Sequence, residues 1–263
     1  MSFATGKEGQ RRDMITSRDN SKYKMWLKLS QKKYRQKEQL FLVEGEHLVF
    51  EAKKAGLIVE VLLCEGTSLC EGIFFDIDAP VTYLTKSLFR KLTSTVTSSG
   101  VMAVCRMQEG NIKKNNRLLL VDDVRDPGNL GTLIRSALAF GFDGLVVSED
   151  TVDIYNEKVV RATQGALFNL AINRKNLMDY ISDLQGLGVV VYATTLNNNA
   201  QMMSDVIPTE YMAFVVGNEG AGIRESLVEA CDGSVVIEMS SCVESLNVGV
   251  AGSILMYQFN GLK

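Results

Sequence analysis

From residue 117 onward the chain alternates short apolar, β-branched runs with segments of helical periodicity, and this rhythm constrains its fold more than any other feature. The runs at 118–121, 145–147, 189–193, 213–216 and 234–237 show little polar alternation. Each must therefore bury both faces, the pattern of strands in a parallel sheet. Segments 130–140, 157–164, 177–184, 224–231 and 245–259 read as helices, and strands alternating with helices build a layered α/β domain. The first third repeats the alternation on a smaller scale, with strands at 41–43, 58–63, 81–84 and 101–107 and helices at 46–55 and 87–92. Residues 108–116, QEGNIKKNN, are polar and lack apolar periodicity, so they read as a linker. The expected organisation is a basic tail over 1–12, a small α/β domain over 13–107, the linker 108–116 and a second α/β domain over 117–263.

Composition narrows the function classes. No apolar run approaches the ~18 residues of a membrane span, and residues 1–10 lack the apolar stretch of a secretory signal, so a soluble, cytoplasmic protein with no membrane partner is expected. The five cysteines, Cys64, Cys70, Cys105, Cys231 and Cys242, are odd in number and never spaced C-x-x-C. That spacing argues against a disulfide framework and a zinc site. His47 is the one histidine, which leaves imidazole-rich metal centres and a Ser-His-Asp triad without support. No metal is expected.

The formal net charge of -3 hides a partition. Residues 1–37 hold eleven lysines and arginines against Glu8, Asp13 and Asp19, a surplus of +8 that leaves -11 for the other 226 residues. Charge alone fits a solvated tail as well as a footprint on phosphate. Tyr23, Trp26 and Tyr34 interleave the cations as potential stacking surfaces, which favours RNA.

Three strand-to-turn junctions hold the residues that could build a site. In the first, Asp126-Pro127-Gly128-Asn129-Leu130-Gly131, Asn129 reads as a helix N-cap, and Gly131 with Arg135 one turn on forms a gap beside a guanidinium suited to an anion. In the second, Gly217-Asn218-Glu219-Gly220-Ala221-Gly222, the glycines let a ligand approach the backbone. It is neither a Walker loop, because no Lys-Ser/Thr follows, nor a convincing dinucleotide fingerprint, because Glu225 takes the third glycine position. In the third, Ser245-Leu246-Asn247-Val248, Ser245 reads as a helix cap, and Gly249 and Gly252 imply a closely packed neighbour.

In combination and order these junctions resemble the three motifs of the SpoU (TrmH) family of RNA ribose 2'-O-methyltransferases, within the SPOUT superfamily: Asn129-x-Gly131-x-x-x-Arg135, Gly217-Asn218-Glu219-Gly220-x-Gly222 and Ser245-Leu246-Asn247-Val248. The resemblance covers 117–263. Residues 13–107, with Ile15-Thr16-Ser17 and Phe41-Leu42-Val43-Glu44-Gly45, are similar to that family's substrate-binding domain of ribosomal-protein type. Ala171 and Ile223 depart from residues common in the family, a proline and a leucine or methionine. The resemblance implies a trefoil-knotted parallel-sheet domain, a homodimer through that domain, and S-adenosylmethionine as methyl donor. It implies donor contacts at Thr194, Thr195, Gly217, Asn218, Gly220, Ile237, Met239, Leu246 and Asn247. It also makes Arg135, Asn129, Glu219, Ser245 and Asn247 the catalytic set. Because a free guanidinium has a pKa above ~12, Arg135 suits binding of the target phosphate and ribose better than unaided proton removal.

The expected substrate is ribosomal RNA, 23S first, with transfer RNA second. Two other classes compete. A catalytically silent RNA-binding or ribosome-assembly protein would keep the fold without taking up donor, and a nucleotide-dependent oxidoreductase rests only on the glycines after Val216.

Overall fold

Residues 14–67, 78–112, 117–197, 199–240 and 242–261 are described by a computed structural model of the chain. The tail 1–12 with Lys7, Arg11 and Arg12, the cysteine Cys70 and linker residues 113–116 lie outside the described residues. The chain divides into two compact units between Met107 and Gln108.

The first unit runs β1 (Met14–Ile15), α1 (Ser21–Lys28), α2 (Lys32–Glu38), β2 (Leu40–Glu44), α3 (Glu46–Lys54), β3 (Ile58–Cys64), β4 (Val81–Leu84), α4 (Lys86–Leu92) and β5 (Val101–Arg106). Its five-stranded sheet has the order β1-β4-β3-β5-β2, parallel on the β1, β4 and β3 side and antiparallel where β5 joins β3 and β2. The basic stretch is folded here in a way its charge does not announce. Asn20 caps α1 by accepting from the Tyr23 amide at 3.2 Å, and Tyr23 and Trp26, at helical spacing, are both 0% exposed against Leu62, Leu88, Phe89 and Met102. The Tyr23 hydroxyl donates to the Leu88 carbonyl at 3.1 Å. These two rings are core, not the base-stacking surfaces expected from their cationic neighbours, because burying a large ring outweighs leaving it beside lysines. Tyr34 is half-buried under the Lys28 ammonium, 5.4 Å from its ring centroid. Arg35 is also internal, donating to the Leu29 and Ser30 carbonyls at 2.8 and 2.9 Å and so satisfying the end of α1.

The second unit runs β6 (Arg117–Val121), α5 (Pro127–Ala139), β7 (Gly144–Val147), α6 (Glu157–Ala162), β8 (Ala171–Arg174), α7 (Leu177–Gly186), β9 (Val190–Thr194), β10 (Gln201–Met202), β11 (Met212–Val216), α8 (Glu225–Ala230), β12 (Gly233–Val236) and α9 (Val248–Gln258). Its seven strands lie in the order β10-β12-β9-β11-β6-β7-β8, every neighbouring pair parallel. Burial follows from the sequence pattern: all of β7 and β11, and β6 after its first residue, are shielded from solvent. Register aligns the carboxyl ends of the central strands, with Val216 opposite Val121, Val215 opposite Ala193, and Val235 opposite Thr194. Loops from β6, β9, β11 and β12 therefore leave the sheet side by side, where open α/β sheets bind ligands.

Close helix contacts frame those loops. A side chain on Gly131 of α5 would collide with Ala162 of α6, so the gap expected there is filled by packing and is no anion pocket. A Cβ on Gly252 of α9 would collide with the Leu133 side chain, and one on Gly249 would lie 3.3 Å from the Thr132 side chain; the close neighbour implied by these glycines is α5, met through its side chains. Residues 108–112 pack on this unit: the Tyr155 hydroxyl accepts from the Gln108 amide at 2.8 Å and donates to its carbonyl at 2.9 Å, and Ile112 joins the core around α7.

Candidate active site

Asp126, not Asn129, is the N-cap of α5, accepting from the Asn129 amide at 2.9 Å, with Pro127 in the first turn. Proline needs no hydrogen-bond partner there and its ring presets the helical φ, which shifts the helix start ahead of the position expected for it. Asn129 is thereby free to look outward. Its Nδ2 donates to Glu219 Oε1 at 2.9 Å, and its Oδ1 accepts from Asn247 Nδ2 at 2.9 Å. Asn247 in turn caps α9, accepting from the Gly249 and Val250 amides at 2.9 and 3.3 Å. Ser245, expected as that cap, lies ahead of the helix. The carboxylate can only accept, so it sets the orientation of both amides. One hydrogen-bonded chain, Glu219 to Asn129 to Asn247, thus ties the three junctions together.

Glu219 also accepts from the Asp126 and Arg125 amides at 3.2 and 3.4 Å. Burial pushes its pKa up, but the Asn129 amide and the backbone N–H groups of Glu219, Asp126 and Arg125 outweigh it and hold the carboxyl below its ordinary range. The glycine loop folds on itself, with Asn218 N donating to Gly222 O at 2.9 Å and Gly222 N to Asn218 O at 3.0 Å. The Asn218 side chain accepts from the Gly220 and Ala221 amides at 2.9 and 3.0 Å. A Cβ on Gly217 would strike the Gly222 and Ile223 backbone, and Gly222 has φ +73. Both positions need glycine for steric reasons.

Against this loop lies a cavity of about 710 Å³, within the range of ~300–1,000 Å³ for small-molecule sites. Thr194, Thr195, Gly217, Asn218, Gly220, Ile237, Met239 and Leu246 line it, as do Glu219 and Ser245. Asn129, Arg135 and Asn247 are not in its wall. Glu219, Glu225 and Glu229 line it with no Lys, Arg or His among the described lining residues, so its field favours a cationic ligand. Arg135 is exposed on α5, and its side chain makes no hydrogen bond or ion pair among the described residues.

Two residues of the site were not anticipated from sequence. Asp122, 0% exposed at the end of β6, is held by Arg224 just before α8, whose Nε and Nη2 donate to Oδ1 at 3.0 and 2.6 Å. The only signal in the sequence is a charged residue closing an apolar strand; its partner lies about a hundred positions away. Among the described residues no group of His, Cys, Asp and Glu could hold a metal, and no helix is long and apolar enough to cross a membrane.

Comparison with known proteins meets this geometry. Residues 116–257 match the SpoU rRNA methylase family, and residues 20–103 match the MRM3-like substrate binding domain. The 23S rRNA (guanosine(2553)-2'-O)-methyltransferase RlmP of Bacillus subtilis is 40% identical over 248 residues, 94% of this chain and 99% of the relative. An AdoMet-bound rRNA methyltransferase from Sinorhizobium meliloti superposes with a TM-score of 0.81 at 26% identity, covering 94% of this chain and 96% of that one. The SpoU methyltransferase AviRb from Streptomyces viridochromogenes, in complex with the cofactor AdoMet, gives 0.81 at 25% identity, covering 91% and 96%.

Proposed function

The chain belongs to the SpoU rRNA methylase family, and from that premise we propose how its residues divide the work of an S-adenosylmethionine-dependent RNA ribose 2'-O-methyltransferase acting on 23S ribosomal RNA. The observation that carries the reading is the chain Glu219 to Asn129 to Asn247, which couples the three junctions beside the 710 Å³ cavity. When bound, the donor supplies an activated methyl group on a positively charged sulfonium. A cavity with three carboxylates and no cationic side chain among its described lining suits that charge, and its glycine-rich wall lets backbone groups rather than long side chains make the contacts.

Thr194, Thr195, Gly217, Asn218, Gly220, Ile237, Met239 and Leu246 shape the donor pocket, with Ser245 at its edge. Asn247 acts from behind this wall, through Asn129. Glu219 and Asn129 hold the donor loop and the start of α5 in one frame. Arg135, exposed on that helix, takes the target phosphate and ribose and aligns the 2'-hydroxyl for in-line attack on the methyl carbon, where positioning supplies much of the acceleration. The guanidinium is too weak a base to take the hydroxyl proton; its charge instead stabilises the oxygen as negative charge builds on it, and the proton is released to solvent as the new O–C bond forms.

The first unit binds the RNA. Arg18, Lys28, Lys32 and Lys33 are exposed for phosphate contact, while Lys22 and Lys24 are paired with Glu60 and Asp19 at 3.0 and 2.8 Å. We assign the target to the 23S guanosine named for the Bacillus relative, given the identity over nearly the whole chain. The second unit is a trefoil-knotted domain that forms a homodimer in the cytoplasm. Supporting the dimer, α9 is apolar around almost its whole circumference, yet Val250 and Tyr257 are 47% and 65% exposed, with Leu138 and Ile254 also open to solvent.

The test is transfer of labelled methyl groups from S-adenosylmethionine to 23S RNA, with donor binding followed by calorimetry. The wild type transfers label to a ribose, and Arg135→Ala binds donor normally but loses transfer. Near-normal transfer by that variant would remove Arg135 from the chemistry.

A further inference from the structure

We propose that Asp122 and Arg224 form a positioning pair that suspends the donor loop from the end of β6 and so sets the geometry of the donor pocket; this rests on reading the 710 Å³ cavity as the donor site. Asp122 is completely buried. A buried carboxylate is tolerated only when donors replace its lost hydration, and here Arg224 supplies its backbone amide at 3.1 Å, Nε at 3.0 Å and Nη2 at 2.6 Å. Bonding through two guanidinium nitrogens fixes orientation as well as distance. The carboxylate in turn raises the Arg224 pKa above its ordinary value, through the side-chain hydrogen bond first.

The placement of the pair makes it more than a brace. Arg224 directly follows the loop that supplies Gly217 to Ile223 to the cavity wall. At the other end of the loop, Asn218 Nδ2 donates to the Asp123 carbonyl at 2.8 Å. Both ends are therefore anchored on adjacent residues, Asp122 and Asp123, and Glu219 between them reaches Arg125, Asp126 and Asn129. Within the loop the bonds are local, between Asn218 and Gly220, Ala221 and Gly222. Without the guanidinium fork this end of the wall keeps only the Arg224 backbone amide on Asp122 and the packing of Ile223 on the core, so it is less firmly fixed against the donor.

The experiment uses the full-length protein with Arg224→Ala, Arg224→Lys and Asp122→Asn. The Arg224 side chain is 53% exposed, so its truncation is compatible with folding, which thermal unfolding checks. Loss of a charged hydrogen bond at the loop end predicts a donor Kd raised about tenfold in Arg224→Ala and Asp122→Asn. KM for RNA stays unchanged, and Arg224→Lys, keeping the charge without the fork, recovers part of the affinity. A pair with a merely structural role would lower Tm and leave donor Kd at the wild-type value in the folded variants; that result overturns the proposal. A wild-type protein that binds no S-adenosylmethionine would instead overturn the reading of the cavity itself.

Discussion

The donor side of the site and the residues left for RNA differ in how the fold treats their polar groups. Around the cavity, Asn218, Glu219 and Arg224 are each engaged by other protein groups, and neighbouring Asn129 and Asn247 are engaged with them. The Arg135 side chain makes no such bond among the described residues, and Lys32 and Lys33 are exposed. On the proposed reading the donor pocket is organised before any ligand arrives, whereas the acceptor side acquires its geometry from the RNA phosphates. Preorganised polar groups need little rearrangement on binding, so donor affinity depends on short-range packing and RNA affinity on charge and salt.

The sharpest way to break this comparison is Arg135→Ala. Losing the group to which we assign alignment of the ribose is expected to lower methyl transfer about a thousandfold at saturating substrates, with donor Kd unchanged; an equal loss of donor binding would join the two sides into one. Next is Gly217→Ala, whose methyl would collide with the Gly222 and Ile223 backbone. We expect donor Kd to rise roughly a hundredfold in calorimetry while RNA binding is retained, because ~3 kcal/mol of overpacking is concentrated in the pocket wall.

A smaller effect comes from the first unit. Removing the whole basic stretch would also remove Tyr23 and Trp26 from the core, so the informative variant replaces the exposed Lys28, Lys32, Lys33 and Lys37 with glutamine. RNA binding weakens, and the slope of log K against log salt falls by roughly 3 if each lysine meets a phosphate, with donor affinity untouched. An unchanged slope would make those lysines a solvated surface. The smallest effect concerns pH. Since the folded pKa of Glu219 is held below its ordinary 4.5, its ionised form is complete above that value and is lost only as pH falls through the lowered one. Donor affinity is therefore flat from about pH 5 to 8 as far as Glu219 is concerned, and a Glu219-dependent rise or fall within that window would contradict its hydrogen-bonded setting.

How much of this was legible in the sequence depended on whether the signal was local. The strands at 118–121, 145–147 and 213–216 could be read because burial on both faces writes itself into every residue of the run. Strand β8, with Asn173 and Arg174, and the two-residue β1 and β10 carry too few apolar positions to stand out. In α1, dense lysines masked the Tyr23 and Trp26 stripe, and charge was read where packing governs. The cavity-lining residues were reachable because the family resemblance is written in their order along the chain. The Asp126 cap was displaced from Asn129 by a proline whose effect is local but whose consequence, freeing Asn129 for Glu219, appears only after folding. The Asp122 and Arg224 pair was out of reach for the same reason: each residue is ordinary until the parallel register brings the ends of β6 and β11 together.

The most direct test of the central claim is a map of ribose methylation across 23S RNA from cells lacking this protein, complemented with the wild type or with Arg135→Ala. The account predicts one guanosine 2'-O-methyl group that disappears with the protein, returns with the wild type and stays absent with the variant. An unchanged map, or restoration by Arg135→Ala, would contradict it.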